Sequence, residues 1–138
     1  MIADKFIISL FVIVLSMSVF KADAALDYKN YEHEMKRSFA DQMYDELGLL
    51  MDSDTSCNTD KIEELRMSFV TYRRATLEEA RALQLLVVDK FVQAINTDET
   101  IQPYLAVHPF TFKRATVSIS FEGTNRYNSD RTIAHISS

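Results

Sequence analysis

Residues 76–96 read TLEEARALQLLVVDKFVQAIN, and this stretch organises the rest of the chain. Thr76, with Glu79 three residues later, is the signature of a capping box. In that motif the hydroxyl takes the free N–H of the glutamate, and the carboxylate returns to the N–H of the threonine. Beyond the cap, Leu77, Ala80, Leu83, Val87, Phe91 and Ile95 recur at spacings of three and four, and Leu86, Val88 and Val92 widen the stripe. A helix apolar over so much of its girth is expected to be the central buried one. Asn96 is expected to close it in the left-handed conformation.

Strand signals flank this helix. Downstream, Thr97–Arg114 is a connection holding both prolines, Pro103 and Pro109, with Tyr104, Phe110 and Phe112 expected to pin it to the core. In Ala115–Glu122, Val117, Ile119 and Phe121 alternate with Thr116, Ser118 and Ser120, the period of a half-buried strand. Gly123-Thr-Asn125 reads as a turn, and Thr132–Ile136 as a short returning edge strand. Upstream, residues 62–74 fit either a helix face or an alternating strand. The run Met-Ser-Phe-Val-Thr-Tyr is rich in β-branched and aromatic residues, which decides for a strand over Glu64–Arg73. Asp52–Asp60 is a polar break, and from Asp27 to about Met51 a single stripe of Tyr28, Tyr31, Met35, Phe39, Met43, Leu47 and Leu50 predicts one long helix. Glu32, Lys36 and Asp41 are assigned to its solvent face. The fold class expected is therefore α+β: a long N-terminal helix, then strand–helix–strand and an edge strand, with a small antiparallel sheet covered by helices.

Phe6–Phe20 is an apolar run interrupted only by serines, preceded by Lys5 and followed by Ala22 and Ala24 in an A-x-A pattern. It is shorter than the roughly 17 residues a spanning helix needs at minimum. Its expected role is a signal peptide over residues 1–24, cleaved after Ala24, leaving 25–138 as a single exported domain, periplasmic or secreted. If uncleaved, this segment is the chain's one contact with a membrane. Cleavage removes Asp4, Lys5, Lys21 and Asp23, two charges of each sign, so the net charge of −5 is unchanged. That balance argues against nucleic acid as a partner. With only Gly48 and Gly123, no glycine-rich phosphate cradle can be built. With only Cys57, there is no intrachain disulfide and no multi-cysteine metal site; Cys57 is an unpaired thiol or an intermolecular bridge.

One stretch has cation-ligand spacing. On a twelve-residue calcium loop, Asp52, Asp54, Ser56, Asp60 and Glu63 take positions 1, 3, 5, 9 and 12. Cys57 stands where the loop needs glycine for its sharp turn, and the strand that follows removes the outgoing helix. No metal or cofactor is therefore expected there. His33, His108 and His135 show no metal-ligand spacing, and no serine or cysteine nucleophile signature is present. Arg73 and Arg74, with Arg81 further along, form a basic cluster that is expected to neutralise Glu78 and Glu79.

The segment Arg73-Arg-Ala-Thr-Leu-Glu-Glu-Ala-Arg81, the apolar helix to Asn96, Pro103-Tyr-Leu, Pro109-Phe-Thr111 and Val117-Ser-Ile-Ser-Phe121 together resemble a group of small exported bacterial proteins of unknown function. The resemblance covers about Met67–Glu122 and implies export and a shared core layout, with no activity or catalytic residues attached. The function expected is a non-catalytic binding or interaction module, its partner an unidentified protein or a second copy of itself. Tyr28 and Tyr31 are its expected exposed anchors. Two alternatives stand beside it. One is a small hydrolase with a site assembled across the fold, for which His108, Glu79 and Arg74 are the first residues to test. The other is a divalent cation held at residues 52–63.

Overall fold

The computed structural model describes residues 28–56, 58–123 and 135–138. A helix over residues 28–47 (α1) is followed by β1 (Leu50–Ser53), β2 (Leu65–Thr71), α2 (Leu77–Thr97), β3 (Ala115–Phe121) and β4 (His135–Ser137). The segment expected to be a signal peptide, and Cys57, lie outside the described residues.

The described strands form one mixed sheet in the order β1-β2-β3-β4. The outer pairs are antiparallel, but β2 and β3 run parallel, from Leu65 beside Ala115 to Thr71 beside Phe121. This corrects the expectation of an antiparallel sheet. The cause is connectivity: α2 carries the chain back along the sheet before β3 begins, and such a crossover makes the next strand parallel. Alternation sorts the side chains of both central strands. Leu65, Met67, Phe69 and Thr71, with Ala115, Val117, Ile119 and Phe121, are buried. Arg66, Ser68 and Val70, with Thr116, Ser118 and Ser120, face the other way and are exposed or half-buried.

Both helices lie on the buried face. Phe39 of α1 packs on Phe91 of α2 at 5.0 Å between ring centroids and meets Phe69 of β2 edge-on at 6.2 Å. The helices run antiparallel. Glu46, near the end of α1, pairs with Lys90 at 2.7 Å, whereas Tyr28 and Tyr31, at the other end, pack on Tyr104 beyond α2. Hydrogen bonds from Lys90 and Gln42 hold the Glu46 carboxyl below the usual range.

Three boundaries differ from the sequence reading. α1 ends at residue 47, not near Met51, because Gly48 takes φ 68° and donates its N–H to the Tyr44 carbonyl at 2.9 Å. That is the left-handed stop for which glycine is the favoured residue. Leu50–Ser53 then pairs with β2 as an edge strand, with a register shift between Met51 and Ser53, so the polar break begins two residues later than expected. Asn96 does not close α2, which runs on to Thr97 with Asp98 as its extended cap. Its amide instead clasps the backbone of Phe110, donating to the carbonyl at 2.9 Å and accepting from the N–H at 2.7 Å. This clasp draws the connecting loop onto the core, where Phe110 is buried.

The start of α2 follows the capping-box reading. Thr76 N donates to Glu79 Oε2 at 2.8 Å, and Glu79 N donates to Thr76 Oγ1 at 3.3 Å. Thr76→Ala is expected to lower stability by about 1 kcal/mol. It should be read as a lower urea midpoint at unchanged slope. A change of only a few tenths would remove Thr76 from the cap.

Candidate functional site

Two concavities gather polar and charged side chains. The first lies between α1 and the loop after β1 and encloses about 240 Å³. Its floor is Lys36, only 2% exposed, although the sequence assigns it to solvent. The Lys36 ammonium donates to Glu32 Oε1 at 2.7 Å, to the Asp54 carbonyl at 3.0 Å and to Ser56 Oγ at 2.6 Å. Glu32 Oε2 accepts from Asn58 Nδ2 at 3.2 Å, and Asn58 Oδ1 accepts the N–H groups of Glu63 and Glu64. Tyr28 donates its hydroxyl to the Thr59 carbonyl at 2.7 Å. Burial, with the negative charges of Glu32 and Asp60 nearby, raises the Tyr28 hydroxyl pKa.

This cluster fixes what the cleft can do. A serine beside a lysine is the raw material of a nucleophile–base pair. Here all three lysine donors are already directed at acceptors, and Ser56 Oγ also accepts the Arg66 N–H at 3.3 Å. The arrangement is a clasp that ties α1 to the 54–59 loop. No buried polar side-chain atom among the described residues is left without a partner.

The proposed cation ligands fare accordingly. Asp52 stands in β1, at the register shift. Asp54 lies 3.6 Å from His33 Nδ1, while its carbonyl, together with Ser56 Oγ, serves the Lys36 ammonium. Asp60 and Glu63 are exposed on the far part of the loop. Of the five side chains, Lys36 thus engages one, the Ser56 hydroxyl. No cluster of three His, Cys, Asp or Glu that could hold a metal occurs among the described residues.

The expected exposed anchors are also corrected. Tyr28 is 1% exposed, and Tyr31 is half-buried, stacked on Tyr104 at 6.0 Å. The stripe of α1 does not outrun its core, because the connection after α2 folds over its N-terminal end. The large apolar side chains that do face solvent are elsewhere. Tyr72 (70% exposed) follows β2, Leu85 (72%), Leu86 and Leu77 are exposed on α2, and Tyr44 and Phe112 are exposed elsewhere, so Phe112 does not pin its loop to the core as expected.

The second concavity lies at this junction of β2 and α2, with a volume of about 420 Å³. Arg73 and Arg74, from the turn after β2, and Ala82, Leu83 and Leu86, from α2, line it. Arg74 Nε donates to the Gly123 carbonyl at 3.1 Å. Gly123 itself lies against the backbone of Tyr72, where a Cβ would run into the Tyr72 carbonyl. Glu79 also lines the concavity, with one carboxylate oxygen committed to the cap. Of the residues suggested for a hydrolase, Arg74 and Glu79 therefore meet here. His108 does not: it is exposed in the loop beyond the other end of α2, near the bridge between Ile62 and Leu105.

One juxtaposition is absent from the sequence reading. Ser120 Oγ on β3 lies 3.1 Å from His135 Nδ1 on β4, on the sheet face away from the helices. The two residues sit opposite each other in register, and no local motif announces a pairing that depends on strand order. No protein family, curated protein or solved structure matches the chain. Among the described residues, no helix is long and apolar enough to cross a membrane.

Proposed function

We propose that this chain is an exported, non-catalytic interaction module whose working surface is the β2–α2 junction. The observation that carries the reading is the exposure of Leu85 and Leu86, adjacent on α2, and of Tyr72 just after β2, with Leu86 lining a concavity that Arg73 and Arg74 also line. Large apolar side chains gathered at one place on a surface mark interaction sites. The polar groups of the other cleft, by contrast, are engaged with one another. Export is supported by the apolar run at Phe6–Phe20 and the A-x-A exit. The looser likeness to small exported bacterial proteins points the same way.

The test is complementation of a deletion strain with the chain and its variants, each checked for export and melting temperature. Tyr72→Asp and Leu85→Asp should abolish complementation while leaving folding intact, since aromatic and apolar anchors at an interface typically contribute about 2 kcal/mol or more. His33→Ala, His108→Ala and His135→Ala should complement fully. The exported product should have an intact mass beginning at Ala25. Loss of host function on changing one histidine, in a folded and exported protein, would overturn the reading.

A second reading has one observation in its favour. The hydrogen-bonded Ser120–His135 pair sets a hydroxyl within reach of an imidazole, the first two groups of a serine nucleophile and its base. It predicts labelling of Ser120 by a fluorophosphonate, lost in Ser120→Ala and in His135→Ala.

A further inference from the structure

We propose that the exposed face of α2 is the contact between two copies of this chain, which meet antiparallel about a two-fold axis at Leu85. The inference rests on the interaction-module reading and names the partner as a second copy.

The shape of the face is the first argument. Leu85, at 72%, is the most exposed large apolar side chain among the described residues, and Ala82 and Leu86 beside it are exposed as well. Four neighbouring side chains on a helix enclose a hollow that can take a side chain of a facing helix. Around Leu85 those four are Arg81, Ala82, Leu85 and Leu86. Ala82 leaves the hollow open, and Leu86 gives it an apolar side. In the commonest packing of two helices, rows of residues four apart interdigitate and the axes cross at about 50°. Leu85 of each copy then enters the hollow of the other.

The charges on that row are the second argument, and they set the direction. Arg81, Leu85 and Asp89 follow one another at i, i+4 spacing, and all three are exposed. Arg81 has no ion pair or side-chain hydrogen bond among the described residues. Asp89 accepts from Gln93 at 3.2 Å and has no cation beside it among those residues. Arg81 and Asp89 stand about 12 Å apart along the helix axis, too far to pair within one chain. A two-fold axis at Leu85 exchanges the two positions, so Arg81 of each copy meets Asp89 of the other. One ion pair then flanks the leucines on either side. A parallel arrangement would instead set arginine on arginine and aspartate on aspartate. Copies with a net charge of −5 repel each other, so a self-contact needs opposite charges where it forms. Glu78, three residues before Arg81, is the other acid at this rim. A single helix pair is a small interface, so the dimer is weak and forms at high protein concentration.

Sedimentation velocity of the protein as purified from its host, from micromolar to millimolar concentration, tests the proposal. A reversible monomer–dimer equilibrium is expected, weakening as salt is raised. Leu85→Asp should weaken it at least tenfold. So should Arg81→Asp and Asp89→Arg, each of which sets like charges against each other at both flanks. All three positions are exposed, so the melting temperature of the dilute monomer should hold in each variant. An equimolar mixture of Arg81→Asp and Asp89→Arg should dimerise again, because each copy then brings the charge that the other lacks. The double variant Arg81→Asp/Asp89→Arg should self-associate as the parent does. A protein monomeric throughout the range, a dimer indifferent to Leu85→Asp, or charge reversals rescued by neither the mixture nor the double variant would overturn the proposal. The module reading is decided separately, by complementation. If Tyr72→Asp and Leu85→Asp abolish host function in a protein that is always monomeric, the module reading stands, its partner is a different protein, and the two-fold contact falls. If Leu85→Asp dissociates the dimer and host function is unaffected, the two-fold contact stands and the module reading falls.

Discussion

Lys36→Ala is expected to destabilise the protein by about 3–5 kcal/mol, the largest effect of any single polar substitution in the chain. The reason is what it leaves behind. Glu32 and Lys36 have side chains only 10% and 3% exposed. Removing the ammonium strands a carboxylate in a poorly hydrated place and takes a donor from both the Asp54 carbonyl and Ser56 Oγ. An exposed pair four residues apart on a helix would contribute only about 0.3–0.5 kcal/mol, so the size of the loss distinguishes a buried clasp from a surface pair. The double variant Glu32→Gln/Lys36→Met removes both charges together and should recover most of the stability, since a buried ion pair replaced by well-packed neutral groups is often neutral or better. Urea unfolding of the two single variants and the double variant gives the coupling directly. A loss below 1 kcal/mol in Lys36→Ala would show that water reaches the pair.

This clasp also shows what the sequence did and did not make legible. Positions 28, 32, 36 and 40 form one i, i+4 row on α1, flanked by Met35, Phe39 and Met43. The row lies in the middle of the buried face, so the spacing alone placed Glu32 and Lys36 inside. Their charges point to solvent, but their position on the helix sets them inside, where each charge meets the other. Gly48 is likewise a helix-stop signal in the sequence, and the stripe continuing to Leu50 runs past it. Local signals carried through cleanly where one interaction dominates, as in the capping box at Thr76 and the alternation in β3. The strand preference of β-branched and aromatic residues likewise settled the ambiguous segment as β2, Leu65–Thr71.

Features that depend on partners distant in sequence were not legible. β1 is four residues long and is defined by what it pairs with. The meeting of Ser120 and His135 depends on strand order, as does the parallel arrangement of β2 and β3. The concavity at the β2–α2 junction was half visible. Arg73 and Arg74 stood out as a basic cluster, but of the α2 residues that line it with them Leu83 read as core, Leu86 as the widening of a helix stripe and Ala82 not at all. Which members of that stripe face solvent is set by where α1 and the sheet lie: Leu86 is left substantially exposed, while Leu83, Val87 and Phe91 are buried.

The same dependence on distant partners makes Phe39→Ala the second large-effect substitution, with an expected loss of about 3–5 kcal/mol. Phe39 is 2% exposed and touches all three parts of the core: its own helix, Phe91 of α2 and Phe69 of β2. Truncation leaves a cavity where two helices and the sheet converge, and none of the three can close it without losing contacts with the other two. The cost should therefore sit at the upper end of the range for phenylalanine, and little of it should be regained by relaxation. A double-mutant cycle with Phe91→Ala should show a coupling of about 0.5–1.5 kcal/mol, the part owed to the two rings' mutual packing at 5.0 Å. The cycle with Phe69→Ala should give the smaller coupling, because those rings meet edge-on and further apart, at 6.2 Å. Additivity in both cycles, with each single variant losing less than 2 kcal/mol, would mean that α1 is not docked on α2 and β2 in solution. The clasp at Lys36 would then be its main attachment, and Lys36→Ala should release the helix altogether, seen as rapid amide exchange over residues 28–47 with the sheet still protected.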